Sequence, residues 1–452
     1  MQGWLVKFVQ FRVKHPFVFS DELIAHLNQA AADPDSAVEV MDDVLYQTLR
    51  ERGILFGYPV LVEDDEDVVA AVQYLSAQDK GRFIYVDTLF KCMVQECAFF
   101  YPTVGLYEFY LCQVLTRFLQ FFLNAEVHPF ANKPLDELLQ DPRYLEQLAA
   151  LEVSFDQQTK VDISFSFASG LRNSFAFFDI FTVVSWNRSC QDNPSNVHKM
   201  MTFREQKKRL QEQVFFVMVA MMWANNQTSS GWLKWRRQLR MKPFPKPERR
   251  LLSVYCHTAD IPKKVCRQLL RKPLGIAELS LSVNCAIVSR YLLEQTILMQ
   301  LLCNKPGLSE SMYVLADSLQ LTRSQLHASL SSVTTFFDQY HEEFSFLTGK
   351  AVFSHLKSYS TDSVNNIVRK NMSAIMREIK NTNELYETLL RASHQPLSKQ
   401  ESQFVRKQLL SIAKTVPALA IFCLPAGAIV LAAMTKLLPF SILPDAFVEQ
   451  DT

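Results

Sequence analysis

A run of nineteen consecutive residues without a charged side chain, Val416–Met434, constrains this chain more than any other feature. About eighteen such residues mark a candidate membrane helix, because a span must cross ~30 Å of hydrocarbon. Pro425 and Gly427 lie near the middle of the run, and proline removes a backbone donor, so we expect a kink there. The run therefore predicts one proline-kinked membrane helix at 416–435. A buried core helix and a re-entrant element are the alternatives.

The residues around this run predict where its helix starts and how it is oriented. Ser398 and Glu401 have the spacing of a capping box, in which Ser and Glu each satisfy a free amide at a helix start. Lys and Arg are denser before the run than after it, where Lys436 is the last basic residue. The positive-inside rule then predicts that the preceding body lies on the cytoplasmic side of a bacterial inner membrane, or at the mitochondrial inner membrane in a eukaryote.

The rest of the chain has the composition of a mainly α-helical body. It contains only 11 glycines in 452 residues, so few tight hairpins are expected. The apolar stretch 88–123 is interrupted by Glu96, Glu108 and Arg117, which favours buried core helices over a span. Helices are also predicted at 283–303, 309–319, from Thr322 onward, and over 361–390. Alternation at 161–167 allows a small β element as well.

Cysteine usage and the N-terminus bear on the compartment. The nine cysteines contain no Cys-x-x-Cys pair and lie mostly in apolar runs, which favours buried thiols in a reducing compartment. The first twenty residues lack the continuous apolar core of a secretory signal. They are interpreted as a first helix with a basic face, with a mitochondrial transit peptide as the alternative.

The stretch 199–250 is strongly basic, with thirteen Lys and Arg against three Glu. Its centre, 214–224, is apolar but too short to cross a bilayer. The flanking basic residues could contact anionic lipid or RNA phosphates, or simply form a solvated helix face. The candidate surface consists of Lys207, Lys208, Arg209, Arg236, Arg237 and Arg240.

Three segments follow from these patterns. Residues 1–245 are predicted to form an N-terminal helical body that includes most of the basic stretch, and the prolines at 243–247 mark its end. Residues 246–350 are predicted to form a helical module that weakly resembles the tellurite-resistance TerB-like module. Residues 351–452 carry amphipathic helices and the membrane segment.

The C-terminal residues 395–447 carry a more specific resemblance. They combine the capped helix, the proline-bearing run, a Lys-Leu-Leu-Pro stretch and a closing Leu-Pro-Asp-Ala-Phe. This order resembles the membrane segment of the Letm-type proteins, the leucine-zipper and EF-hand-containing transmembrane family, and is most similar to its bacterial biofilm-associated branch. The matching membrane-segment positions are Pro417, Pro425, Gly427, Lys436, Pro439, Leu443, Pro444 and Phe447.

The resemblance implies residence in an inner membrane, a link to exchange of potassium or calcium against protons, and a ribosome-binding domain after the span. This chain carries no EF-hand loop and ends five residues after Phe447, which puts ribosome binding by that domain in doubt.

The sequence therefore favours a non-enzymatic interaction or scaffold protein attached to the cytoplasmic membrane. Its expected partners are the lipid bilayer and other proteins, including further copies of itself. No cofactor or metal is expected, because no phosphate loop, paired-histidine metal motif or nucleophile elbow occurs. A role in cation/proton exchange and ion homeostasis is the alternative, and ribosome or RNA binding at the membrane is the weaker one.

Overall fold

The computed structural model describes most of the chain up to residue 339 and little beyond it. The described residues are 3–17, 34–57, 75–101, 107–125, 133–158, 172–227, 244–269, 274–279, 285–303, 309–339 and 383–392, with scattered positions at 19, 72 and between 398 and 408. The membrane segment 416–435 lies outside these residues. No helix within the described ranges is long and apolar enough to cross a membrane.

Every regular element in the described ranges is helical, which confirms the mainly α fold class. The α-helices are α1 (Trp4–Lys14), α2 (Pro34–Glu51), α3 (Ala77–Phe100), α4 (Tyr107–Leu123), α5 (Leu135–Leu138), α6 (Pro142–Gln158), α7 (Ala176–Asp192), α8 (Met200–Gln227), α9 (Lys246–Thr258), α10 (Lys263–Leu269), α11 (Ala286–Leu302), α12 (Glu310–Ser318), α13 (Arg323–Gln339) and α14 (Asn383–Ala392). The predicted β alternation at 161–167 lies outside the described residues, and both flanks, 142–158 and 176–192, are helical.

The chain divides into two compact units. Unit 1 comprises Met1–Phe216 with Arg250–Gln268, and unit 2 comprises Val217–Arg249 with Leu269–Thr452. This division follows spatial contacts, so the boundaries predicted from sequence at 245 and 350 stay predictions.

A row of phenylalanine rings, each packed against the next, lies in the core of unit 1. Phe8 of α1 lies 4.9 Å from Phe90 of α3, measured between ring centroids. Phe90 lies 4.9 Å from Phe118 of α4, and Phe118 lies 5.7 Å from Phe155 of α6. All three pairs meet edge to face, the arrangement that the ring quadrupole favours. The apolar stretch 88–123 is thus confirmed as buried helices, α3 and α4.

Unit 2 contains α11, which is buried along nearly its whole length and packs against α13. The predicted helices at 283–303, 309–319 and from Thr322 onward are confirmed as α11, α12 and α13. Thr322 caps α13, because the Gln325 amide donates to Thr322 Oγ1 at 3.2 Å. The Thr322 amide in turn donates to Gln325 Oε1 at 2.8 Å, which completes a capping box.

The same helix end occurs twice, sixty residues apart. In the α9–α10 connection the Ile261 amide donates to the Cys256 carbonyl at 2.9 Å, and in the α12–α13 connection the Leu321 amide donates to the Ala316 carbonyl at 2.8 Å. Asp260 and Gln320 occupy the left-handed position, with φ of 52° and 58°. This bond pattern is the Schellman motif, which ends a helix by satisfying its last carbonyls.

Candidate functional site: a cationic cavity beside helix α8

Helix α8 carries half of the predicted basic surface. Lys208 and Arg209 are exposed, as a solvated basic face requires. Lys207 is half-buried, and its Nζ lies 2.6 Å from Asp179 Oδ1 on α7. The predicted residues Arg236, Arg237 and Arg240 lie outside the described residues, as do all the predicted membrane-segment residues from Pro417 to Phe447. The apolar stretch 214–224 belongs to the second half of α8, and most of its side chains are buried.

Lys207 lies at the edge of a cavity in unit 1 that sequence reasoning missed. The cavity has a volume of about 260 Å³ and is formed by residues of α3, α4, α7 and α8. Its lining residues combine two cations, one carboxylate, two hydroxyls and an apolar wall: Tyr85, Phe121, Phe122, Asp179, Thr182, Val183, Arg204 and Lys207. Three of these eight residues carry charge, and each of the three is only partly buried, so the cavity opens at the surface of unit 1.

Arg204 is fixed in place by the end of helix α4. Its Nη2 donates to the carbonyl oxygen of Phe121 at 2.7 Å, and its guanidinium carbon lies 5.1 Å from the centroid of the Phe121 ring. Phe121 belongs to the last turn of α4, where carbonyls lack partners within the helix and the dipole favours a cation. Arg204 therefore caps α4 with one nitrogen. Its Nε and Nη1 make no hydrogen bond to any described residue.

The second cation of the cavity is partly neutralised. Asp179 lies in the first turn of α7, where the helix dipole favours a carboxylate, and it accepts a hydrogen bond from Lys207. The two side chains keep 30% and 28% of their exposed surface, so solvent screening makes the pair worth at most about 1 kcal/mol. The pair is therefore open to rearrangement when an ion enters the cavity.

Tyr85 supplies a hydrogen-bond donor at the buried side of the cavity. The residue is 4% exposed, and its hydroxyl makes no hydrogen bond to any described residue. Burial, and then the negative charge of Asp179, raise the pKa of Tyr85 well above its usual value. The phenol thus keeps its proton and remains a donor.

Two ion networks join helices of unit 1 to one another. In the first, Arg12 Nε and Nη2 lie 2.7 and 2.5 Å from Asp87 Oδ1, while Arg52 Nη1 lies 3.2 Å from Asp87 Oδ2. Arg12 also lies over the ring of Phe17, 4.2 Å from its centroid. This network joins α1 and the end of α2 to α3, and Arg12 and Asp87 are fully buried.

The second network is centred on Arg188 of α7. Its Nε and Nη2 donate to both oxygens of Glu96 at 2.8 and 2.7 Å, and its Nη1 donates to Asp42 at 2.5 Å. Burial raises the pKa of Glu96 more than the ion pair with Arg188 lowers it. The pair therefore does not fully offset the desolvation of Glu96, and Arg188 is the group that makes this buried carboxylate tolerable.

Five of the eight cysteines in the described residues are buried, as the sequence predicts for most of them. All eight cysteines in the described residues are free thiols. Burial raises the pKa of Cys92, Cys97 and Cys256 to about 12 in each case. The Cys256 thiol donates to the carbonyl oxygen of Ile261 at 3.6 Å. Since the thiolate is the reactive form, at pH 8 only about one in ten thousand of these thiols would be reactive.

We therefore expect an aromatic disulfide reagent to label Cys92, Cys97 and Cys256 at pH 8 at least about 100-fold more slowly in the native protein than in urea, where all nine cysteines should react. Cys97→Ser should lower the count in urea by one and leave the rapid native phase unchanged. Rapid native labelling of Cys97 would show that the thiol is not held in the core.

A comparison of the chain with known protein families, with curated proteins and with solved structures found no match. The function must therefore be argued from the chain itself.

Proposed function

We propose that this protein is a membrane-anchored, mainly helical interaction protein, tethered by residues 416–435 and acting through contacts of its helical body. The observation that carries the proposal is the uncharged run Val416–Met434. An apolar helix of this length gains free energy on moving from water to hydrocarbon, whereas a water-soluble body must cover it completely.

The buried helices of the body support this proposal by contrast. The apolar helices α3 and α4 carry ionisable residues within their length, and Glu96 is accommodated by its bonds to Arg188. A protein core can provide such partners, whereas a lipid environment makes each charged residue costly. The run 416–434 contains no charged residue at all, which is typical of a segment that lies in the hydrocarbon of a membrane.

The residues preceding the run support the local structure that the sequence predicts. The Ser398 amide donates to Glu401 Oε2 at 2.9 Å, and the Glu401 amide donates to Ser398 Oγ at 3.3 Å, so the capping box is confirmed. Hydrogen bonds with Ser398 lower the pKa of Glu401, and Arg391 of α14 contacts the same carboxylate. A new helix thus begins after Ser398, eighteen residues before Val416.

The resemblance to the Letm-type membrane segment adds a location to the proposal. The excess of Lys and Arg before the run favours a cytoplasmic body, by the positive-inside rule. Together they favour an inner membrane with the helical body on the cytoplasmic side. On this proposal the protein holds its body at the membrane surface, where it meets protein partners or further copies of itself.

Fractionation tests the tether. We expect the full chain to stay with the membrane pellet after alkaline carbonate extraction, and a version ending at Lys414 to move to the soluble fraction. Ile429→Arg combined with Val430→Arg should have the same effect, because each arginine at a span centre costs roughly 2.5–3.5 kcal/mol of insertion free energy.

The matched control is Val153→Arg, which adds a charge at a side chain of α6 that is already 55% exposed. This variant should fractionate like the unmodified chain. Release of the full chain by carbonate, or retention of the version ending at Lys414, would contradict the tether. Circular dichroism of the released protein distinguishes a soluble helical body from an unfolded one.

A further inference from the structure

We infer that the cavity in unit 1 is a binding site for a small monocarboxylate with an apolar body, recognised by Arg204 and Tyr85 and walled by Phe121, Phe122 and Val183. This site lies within one compact unit. It is independent of membrane attachment and goes beyond it.

The donors of the cavity fit a carboxylate head group. Arg204 Nε and Nη1 are unused after Nη2 caps α4, and Nη2 keeps a second N–H. Either unused nitrogen, together with that second N–H, can form the paired donors through which guanidinium groups bind carboxylates. Tyr85 is the second donor, because the residue is 4% exposed and lines the cavity, and its hydroxyl makes no hydrogen bond to any described residue. The hydroxyl can therefore donate to an acceptor in the cavity.

The apolar wall and the volume set the size of the ligand. Phe121 and Phe122 meet edge to face at 5.1 Å and, with Val183, form the part of the lining that carries no charge or hydroxyl. The volume of about 260 Å³ lies just below the range of about 300–1,000 Å³ that holds drug-sized ligands. A molecule of about ten non-hydrogen atoms, such as an arylacetic or short fatty acid, is the expected size.

The balance of charge decides between ligand classes. Arg204 and Lys207 against Asp179 leave one net positive charge in the cavity. One negative charge on the ligand neutralises it, whereas a doubly charged phosphate would be repelled by the remaining carboxylate of Asp179. A cationic ligand would face two like charges. A singly charged anion is therefore the class that fits.

Calorimetry on the full chain in a non-ionic detergent tests this site with phenylacetate and hexanoate as probes. We expect at least one of the two acids to bind with a dissociation constant at or below about 1 mM. Phenylacetamide, which has the same shape and no charge, should bind at least about tenfold more weakly, because it lacks the anion that Arg204 recognises.

Four variants locate the binding. Tyr85→Phe and Arg204→Lys should each weaken phenylacetate or hexanoate binding by about tenfold, since the first loses the hydroxyl and the second keeps the charge but loses the paired donors. Asp179→Asn should tighten binding severalfold, because it removes the one opposing charge. Lys208→Gln, which removes a neighbouring exposed cation of α8, should leave binding unchanged.

Asp179→Asn keeps the inference falsifiable if the other variants unfold, because it predicts a gain that damage to the fold would not produce. Unchanged or weaker binding by folded Asp179→Asn would overturn the inference. So would the absence of binding by both acids up to about 10 mM, or equal affinity for the acid and its amide.

Discussion

Asp87→Ala is expected to lower the free energy of unfolding of this protein by about 3–5 kcal/mol, because it leaves two buried guanidinium groups without their carboxylate. Arg12 is fully buried and Arg52 is 5% exposed, so water cannot replace the lost charge. Lys91 adds to the effect. Burial, and then the charge of Arg52, lower the pKa of Lys91, whereas Asp87 raises it, so the substitution also removes a favourable charge from Lys91. Urea unfolding followed by circular dichroism measures the loss.

The matched control for this variant is Asp156→Ala. Asp156 also pairs with an arginine, Arg82, at 3.1 Å, but its side chain is 40% exposed. Removing an exposed ion pair should cost less than about 1 kcal/mol. A loss at Asp87 no larger than the loss at Asp156 would mean that the Arg12–Asp87–Arg52 network does not hold α1, α2 and α3 together.

The second large effect is expected at Arg188. Arg188→Met keeps much of the apolar stem but removes the partner of Glu96, whose side chain is 2% exposed, and the partner of Asp42. A buried carboxylate without its partner typically costs about 3–5 kcal/mol. The same substitution at the exposed Arg143 of α6 should cost less than about 1 kcal/mol and is the control.

The Arg188→Met variant should also respond to pH with a defined sign. The folded-state pKa of Glu96 is already raised by burial, and removal of Arg188 raises it further. A carboxyl with a raised folded pKa binds its proton more tightly in the folded state, so stability rises as pH falls from the folded pKa to the unfolded value. We expect lowering the pH from 7 to about 5 to recover part of the loss. Equal loss at both pH values would contradict a charged, unpaired Glu96 as the cause.

Local features of this fold could be predicted from the sequence. The capping box predicted at Ser398 depends on residues three positions apart, and it is seen. The helix start predicted at Thr322 is also seen. The buried helices within 88–123 follow from an apolar stretch interrupted by charge. These signals succeed because their physical cause lies within one helical turn or one helix.

The cavity and the two ion networks could not be predicted in this way. Asp87 lies 75 residues from Arg12, and Arg188 lies 146 residues from Asp42, so nothing in the local pattern connects them. The sequence predicts that Lys207 belongs to a basic surface. Its pairing with Asp179 depends on the packing of α7 against α8, which the sequence does not show. The sequence does not predict the two Schellman motifs for another reason. Glycine is the usual signal at its left-handed position, and here Asp260 and Gln320 occupy it.

In this recurring Schellman turn, the backbone conformation is set independently of the exposed side chains that follow it. Its defining bonds join main-chain amides to main-chain carbonyls, so the turn does not depend on which side chains follow it. After one copy the exposed positions are Lys263 and Lys264, and after the other they are Arg323 and Ser324. Substitutions at these four positions should therefore change the stability of the turn little. Each pair of helices can then acquire its own surface side chains over evolutionary time while its backbone stays the same.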